Sequence, residues 1–122
     1  MVKIVTTIEQ MANAALSLDN FLLRELTQEF LRQHPQLSEV NRPQSKDSRV
    51  LAAAASLIEL LAARRNQSPP SWTKEIGSLP EPTYLVNPKA VGKYTRRLCE
   101  TEAPEPLRIR NFLAPPNFLD SR

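Results

Sequence analysis

Apolar residues recur at helical spacing through the first half of the chain. In the second half they come in short bursts broken by proline. The densest run is Ser48–Arg65, where twelve of eighteen residues are apolar and none is Gly or Pro. Val50, Ala54, Leu57 and Leu61 form one stripe there, with Leu51 and Ile58 beside it. Ala53, Ala55 and Ala62 cover much of the remaining circumference, and a helix apolar on most sides is a buried one. Alanine and leucine are the strongest helix formers, so this run predicts the central helix. Asp47 or Ser48 suits its start, and Arg64 and Arg65 suit the negative end of its dipole.

Thr6 and Thr7 stand three residues before Glu9 and Gln10, which is a capping-box spacing. With Ile8, Met11, Ala12, Ala15 and Leu16 this predicts a first helix over Thr7–Leu16. Leu18, Phe21, Leu22, Leu26 and Phe30 make the next stripe, with Leu23 and Leu31 at its edge. Ser17 or Asp19 can start a second helix, placed over Asp19–Gln33 and ended by Pro35. Pro35–Lys46 reads as a loop with one helical turn around Leu37–Val40. Prolines and Gly77 exclude a long helix from Ser68 to Val86, leaving a single turn at Ser71–Ile76. Burial of Trp72 would pin this loop onto the helices.

Asn87-Pro88 has the character of a helix start and predicts a basic helix over 88–99. Val91, Tyr94 and Leu98 would face inward, and Lys89, Lys93, Arg96 and Arg97 outward. The tail from Pro104 is too apolar for disorder, and Leu107-Arg-Ile-Arg alternates like a short strand. The expected fold is all-α: a small three- to four-helix bundle around the Ala/Leu-rich helix, with a Pro-rich irregular C-terminal half packed on it. It divides a single domain, 1–122, into a helical core (1–66), a packed Pro-rich loop (67–87), the basic helix (88–99) and an apolar extended tail (104–122).

A length of 122 residues suits one domain. Cys99 is the only cysteine, so no intramolecular disulfide is available and a reducing compartment is expected. The first residues lack the apolar core of a signal peptide, and Arg49, Glu59, two serines and many alanines argue against a membrane span. A soluble, cytoplasmic protein without a membrane partner is the expectation. Charge is uneven: residues 1–61 carry six basic and seven acidic side chains, residues 62–122 ten and six.

Chemistry of catalysis has little footing. His34 is the only histidine, and only Gly77 and Gly92 are glycines, so neither a histidine metal cluster nor a Gly-rich phosphate loop can form. Arg24 and Arg32 lie ten and two residues before His34, which does not fit the Arg-to-His spacing of helical ribonucleases. Glu100, Glu102 and Glu105 read as a solvated segment, and Cys99 as a small packed hydrophobe. No catalytic residue, cofactor or metal is therefore expected. The basic set Lys89, Lys93, Arg96 and Arg97, continued by Arg108 and Arg110, suits either phosphates or an acidic protein surface. An ordinary solvated helix face is the competing reading. Phe112 and Phe118 belong either to a docking arm or to a segment folded back onto its own helices.

Three stretches carry a resemblance: Pro69-Pro70-Ser71-Trp72-Thr73, Leu79-Pro80-Glu81-Pro82, and the segment from Glu102 to Leu113 containing Arg108-Ile109-Arg110-Asn111-Phe112. In these the chain resembles a loose group of small bacterial all-helical proteins, some found beside toxin–antitoxin or mobile-element genes. It departs from their pattern at Pro104-Glu105-Pro106. The resemblance covers about half the chain and transfers no catalytic residue. It implies a non-enzymatic protein-interaction role, as the antitoxin or accessory component of such a system. Another protein is the expected partner, homo-oligomerisation is compatible, and nucleic-acid binding through residues 88–99, Arg108 and Arg110 is the alternative.

Overall fold

Thr7 opens the first helix by a reciprocal cap. In the computed structural model, which describes residues 6–119, its hydroxyl accepts from the Gln10 N–H at 3.2 Å while Gln10 Oε1 accepts from the Thr7 N–H at 3.1 Å. Helix α1 spans Ile8–Leu16 and buries Ile8, Met11, Ala12, Ala14 and Ala15. It ends with Leu18 in the left-handed region, φ 61°, and with Asp19 N–H bonded to Ala14 C=O at 3.1 Å. Glycine or asparagine is usual there, so Leu18 holds a strained backbone. Helix α2, Asn20–Gln33, is capped by Asp19, whose carboxylate accepts from the Leu22 N–H.

Helix α3, Ser48–Arg64, starts from Asp47 and buries eleven of its residues, Leu57, Ile58 and Leu61 among them. Its C-terminal turn closes through Asn66, φ 56°, a residue type suited to that conformation. Gln67 then clasps the preceding loop. Its Oε1 accepts from Leu37 N–H at 2.9 Å and its Nε2 donates to Pro35 C=O at 3.0 Å. This fixes the 3₁₀ turn Leu37–Glu39 beside α3. A second 3₁₀ turn, Ser71–Glu75, carries Trp72, whose indole N–H donates to Val40 C=O at 2.8 Å.

The remaining elements are β1 (Thr83–Tyr84), α4 (Lys93–Thr101), α5 (Glu105–Arg108) and β2 (Phe112–Leu113). The strands pair in parallel with Thr83 opposite Phe112 and Tyr84 opposite Leu113. The described residues are thus mostly helical, with one two-residue strand pair among them. Helix α3 packs against α1, α5 and both 3₁₀ turns, α2 packs against α1, and among the described residues α4 packs extensively on no other element. One hydrophobic cluster runs from Ile8 to Phe118 and has Trp72 packed against it. Ser56 Oγ, on α3, is the one buried side-chain polar atom without a partner among the described residues.

Four expectations change. Leu18, Phe21 and Leu22 are exposed, Phe21 to 74 %, because α2 turns only Leu23, Thr27 and Phe30 into the interior. The helix expected over 88–99 begins at Lys93. Asn87 instead caps a turn, accepting the Lys89 N–H on its side chain and the Ala90 N–H on its carbonyl, both at 3.0 Å. Leu107-Arg-Ile-Arg is not a strand: Leu107 and Arg108 close α5, which Pro104 and Pro106 start, and Ile109 is its C-cap. The tail is folded back rather than extended. Arg64 donates to the carbonyls of Phe118 and, at 3.3 Å, Pro116. Residues 120–122 of the segment lie outside the described residues, as do residues 1–5 of the expected signal-free start.

Candidate interaction surface

Helix α4 is the most sharply two-sided element of the chain. Gly92 precedes it in extended conformation and offers no side-chain cap. At helical spacing Thr95, Leu98 and Cys99 share one side, and all three are buried or half-buried. Lys93, Tyr94, Arg96, Arg97 and Glu100 occupy the other and are exposed. Tyr94, expected to point inward, is 76 % exposed. Position 94 is four residues before Leu98, so Tyr94 stands on the flank of the Thr95–Leu98–Cys99 side and not opposite it. From this ring the exposed side continues around the helix through Arg97, Lys93 and Glu100 to Arg96. Lys89 is exposed in the turn that leads to α4.

The structure does not bring the whole expected basic set together. Arg108 is exposed, but on α5, next to Ile109 at 55 % exposure. Arg110 is only 4 % exposed and forms an ion pair with Glu59 in the middle of α3. It also donates to the carbonyls of Thr73 at 2.8 Å and Ile76 at 3.3 Å. A guanidinium with all its donors engaged inside the protein is not available to a partner. Phe112 is fully buried and Phe118 is only 6 % exposed, so neither is a docking arm. Their segment folds back because α5 and the β1–β2 pair supply the apolar contacts and hydrogen bonds a free arm would lack.

Glu100 interrupts the cationic side, and the Tyr84 hydroxyl donates to its Oε1 at 2.8 Å. That bond, helped by burial and by the carboxylate's charge, pushes the Tyr84 pKa above its ordinary 10.0, with Arg96 acting the other way. Burial pushes the Cys99 thiol up, and the Glu100 charge adds to it. Cys99 is therefore a protonated packing residue at neutral pH. His34 is engaged elsewhere, its Nε2 bonded to Thr6 C=O at 3.0 Å and its ring 4.5 Å from that of Phe30.

Among the described residues no group of three His, Cys, Asp or Glu side chains is placed to hold a metal. No helix of the described residues is long and apolar enough to cross a membrane. A cleft of about 270 Å³ lies between α2 and the C-terminal segment, lined by Leu23, Thr27, Val86, Phe118 and Leu119 among others, and includes no residue of α4. No protein-family model, curated protein or solved structure matches this chain.

Proposed function

We propose that the protein is a non-enzymatic interaction module that docks an acidic protein surface on the exposed side of α4. The observation that carries this reading is the exposed side of α4, which runs from Tyr94, 76 % exposed, through Arg97 and Lys93 to Arg96. Tyrosine and arginine are the residues that most often anchor protein interfaces, because one side chain combines apolar area with directed hydrogen bonds. The cations steer a carboxylate-bearing partner, and the ring provides the desolvated contact. The antitoxin or accessory role implied by the resemblance is one form of such docking and rests on the residues of the resemblance alone.

The same ring among cations is also what base stacking on single-stranded nucleic acid uses, which makes nucleic-acid binding the second reading. Glu100 among the cations opposes phosphates and carboxylates alike, so binding itself has to separate the two readings. Fluorescence anisotropy with an oligo-glutamate peptide and with a single-stranded oligonucleotide separates the two. Preference for the peptide, lost in Tyr94→Ser and in Arg97→Glu with helicity unchanged, supports protein docking. Preference for the oligonucleotide, with a steep loss of affinity as salt rises, replaces it with the second reading.

A further inference from the structure

Glu100 follows Arg96 by four residues and Arg97 by three, the two spacings at which a helical carboxylate meets a cation. Left to itself it would pair with one of them and mask the charge. It does neither. Its carboxylate is held by the Tyr84 hydroxyl at 2.8 Å, and among the described residues neither Arg96 nor Arg97 takes part in an ion pair. Tyr84 is itself fixed from below. Thr83 N–H donates to Asn111 C=O and Leu85 N–H to Leu113 C=O, both at 2.9 Å, so the residue sits in the middle of the parallel strand pair. A hydroxyl on a fixed strand is a stationary donor, whereas the two arginines sit on long, mobile side chains.

We infer that Tyr84 is a positioning residue for the docking side of α4: it holds the Glu100 carboxylate away from Arg96 and Arg97 and so keeps both guanidiniums available to an acidic partner. This rests on the reading of α4 as a docking surface. The hydroxyl–carboxylate bond costs the surface none of its cations, while an intrahelical ion pair would occupy one. Position 100 carries a carboxylate and yet leaves the arginine donors unspent.

The test is a double-mutant cycle on the full chain, with a fluorescein-labelled oligo-glutamate peptide as probe. Wild type, Tyr84→Phe, Glu100→Gln and the double variant are compared at low salt. Tyr84→Phe should weaken binding about twofold, the strength of one exposed intrahelical pair. Glu100→Gln should tighten it, and the double variant should bind as Glu100→Gln does. An equal loss on Tyr84→Phe in both backgrounds, or no loss in the native one, overturns the inference. A second readout needs no partner: the Nε–Hε NMR signals of Arg96 and Arg97. They should shift in Tyr84→Phe and return in the double variant, and unchanged signals overturn the inference. If wild type fails to bind the peptide while these signals behave as expected, the docking reading fails and the positioning role stands.

Discussion

The guanidinium of Arg110 lies in the fork of the Glu59 carboxylate, joining the segment after α5 to the middle of α3. Every N–H of the guanidinium has an acceptor, since Nε reaches Ile76 C=O, Nη1 also reaches Pro106 C=O at 3.4 Å, and Nη2 reaches Thr73 C=O at 2.8 Å. One side chain thus ties the central helix to the Trp72 turn and to the C-terminal segment. A planar fork of donors is what makes arginine, and not lysine, fit this position. Removing one partner of a buried pair leaves an uncompensated charge. We expect Arg110→Ala to cost about 3–5 kcal/mol, measured by urea denaturation. The paired replacement Arg110→Met with Glu59→Leu should recover most of that loss. A change of under about 0.5 kcal/mol in Arg110→Ala would place the pair outside the stabilising framework.

Leu57 and Phe21 were both expected in the core, and only Leu57 is there. Leu57 is fully buried on α3, and Phe21 is 74 % exposed on α2. Leu57→Ala should cost about 2–5 kcal/mol, the range for a buried leucine that leaves a cavity. Phe21→Ala should stay within about 0.5 kcal/mol of wild type, as surface replacements do. Chemical denaturation of the two variants side by side decides this. Equal costs would mean that Phe21 is covered in solution.

The contrast shows what periodicity conveys. The Ala/Leu helix with its start at Asp47 or Ser48, the Thr7–Gln10 capping box and the Leu37 and Ser71 turns are local features, set by neighbouring residues, and they were legible. The second helix was legible in extent but not in orientation. A stripe wide enough to include Phe21 and Leu22 fits a helix covered on both flanks, and the main packing of α2 among the described residues is on α1. On the candidate surface, Lys93, Arg96 and Arg97 could be found from spacing. Tyr94 could not, because it lies four residues before Leu98, which suggests an inward side, and only the limited packing of α4 leaves it exposed. Arg110 was counted with the basic set because its partner, Glu59, lies 51 residues away in sequence. A long-range pair leaves no periodic signal.

The Tyr84–Glu100 bond gives the protein a pH signature. The folded state raises the Tyr84 pKa above 10.0, chiefly through the hydrogen bond to Glu100, so folding favours the neutral hydroxyl. The resulting stability is fully present below about pH 10 and is lost as pH rises through the folded-state value. The stability difference between wild type and Tyr84→Phe should therefore be constant near neutral pH and shrink above about pH 10. Denaturation series at increasing pH measure it. A difference that grows with pH would contradict the assignment.

Cys99 has no exposed surface, and burial raises its thiol pKa. Thiol-disulfide exchange needs an accessible thiolate, so an aromatic disulfide reagent should label the native protein only as fast as it opens. Denaturant should make labelling immediate. Rapid stoichiometric labelling without denaturant would show that the inner side of α4 is open.

The docking role of α4 is tested most directly by residue-resolved NMR of the labelled chain during titration with an oligo-glutamate peptide. The account predicts shift changes concentrated at Lys89, Lys93, Tyr94, Arg96 and Arg97, with Arg110 and Phe112 undisturbed. Changes centred instead on Leu18, Phe21 and Leu22, or no change at any residue of α4, would contradict it.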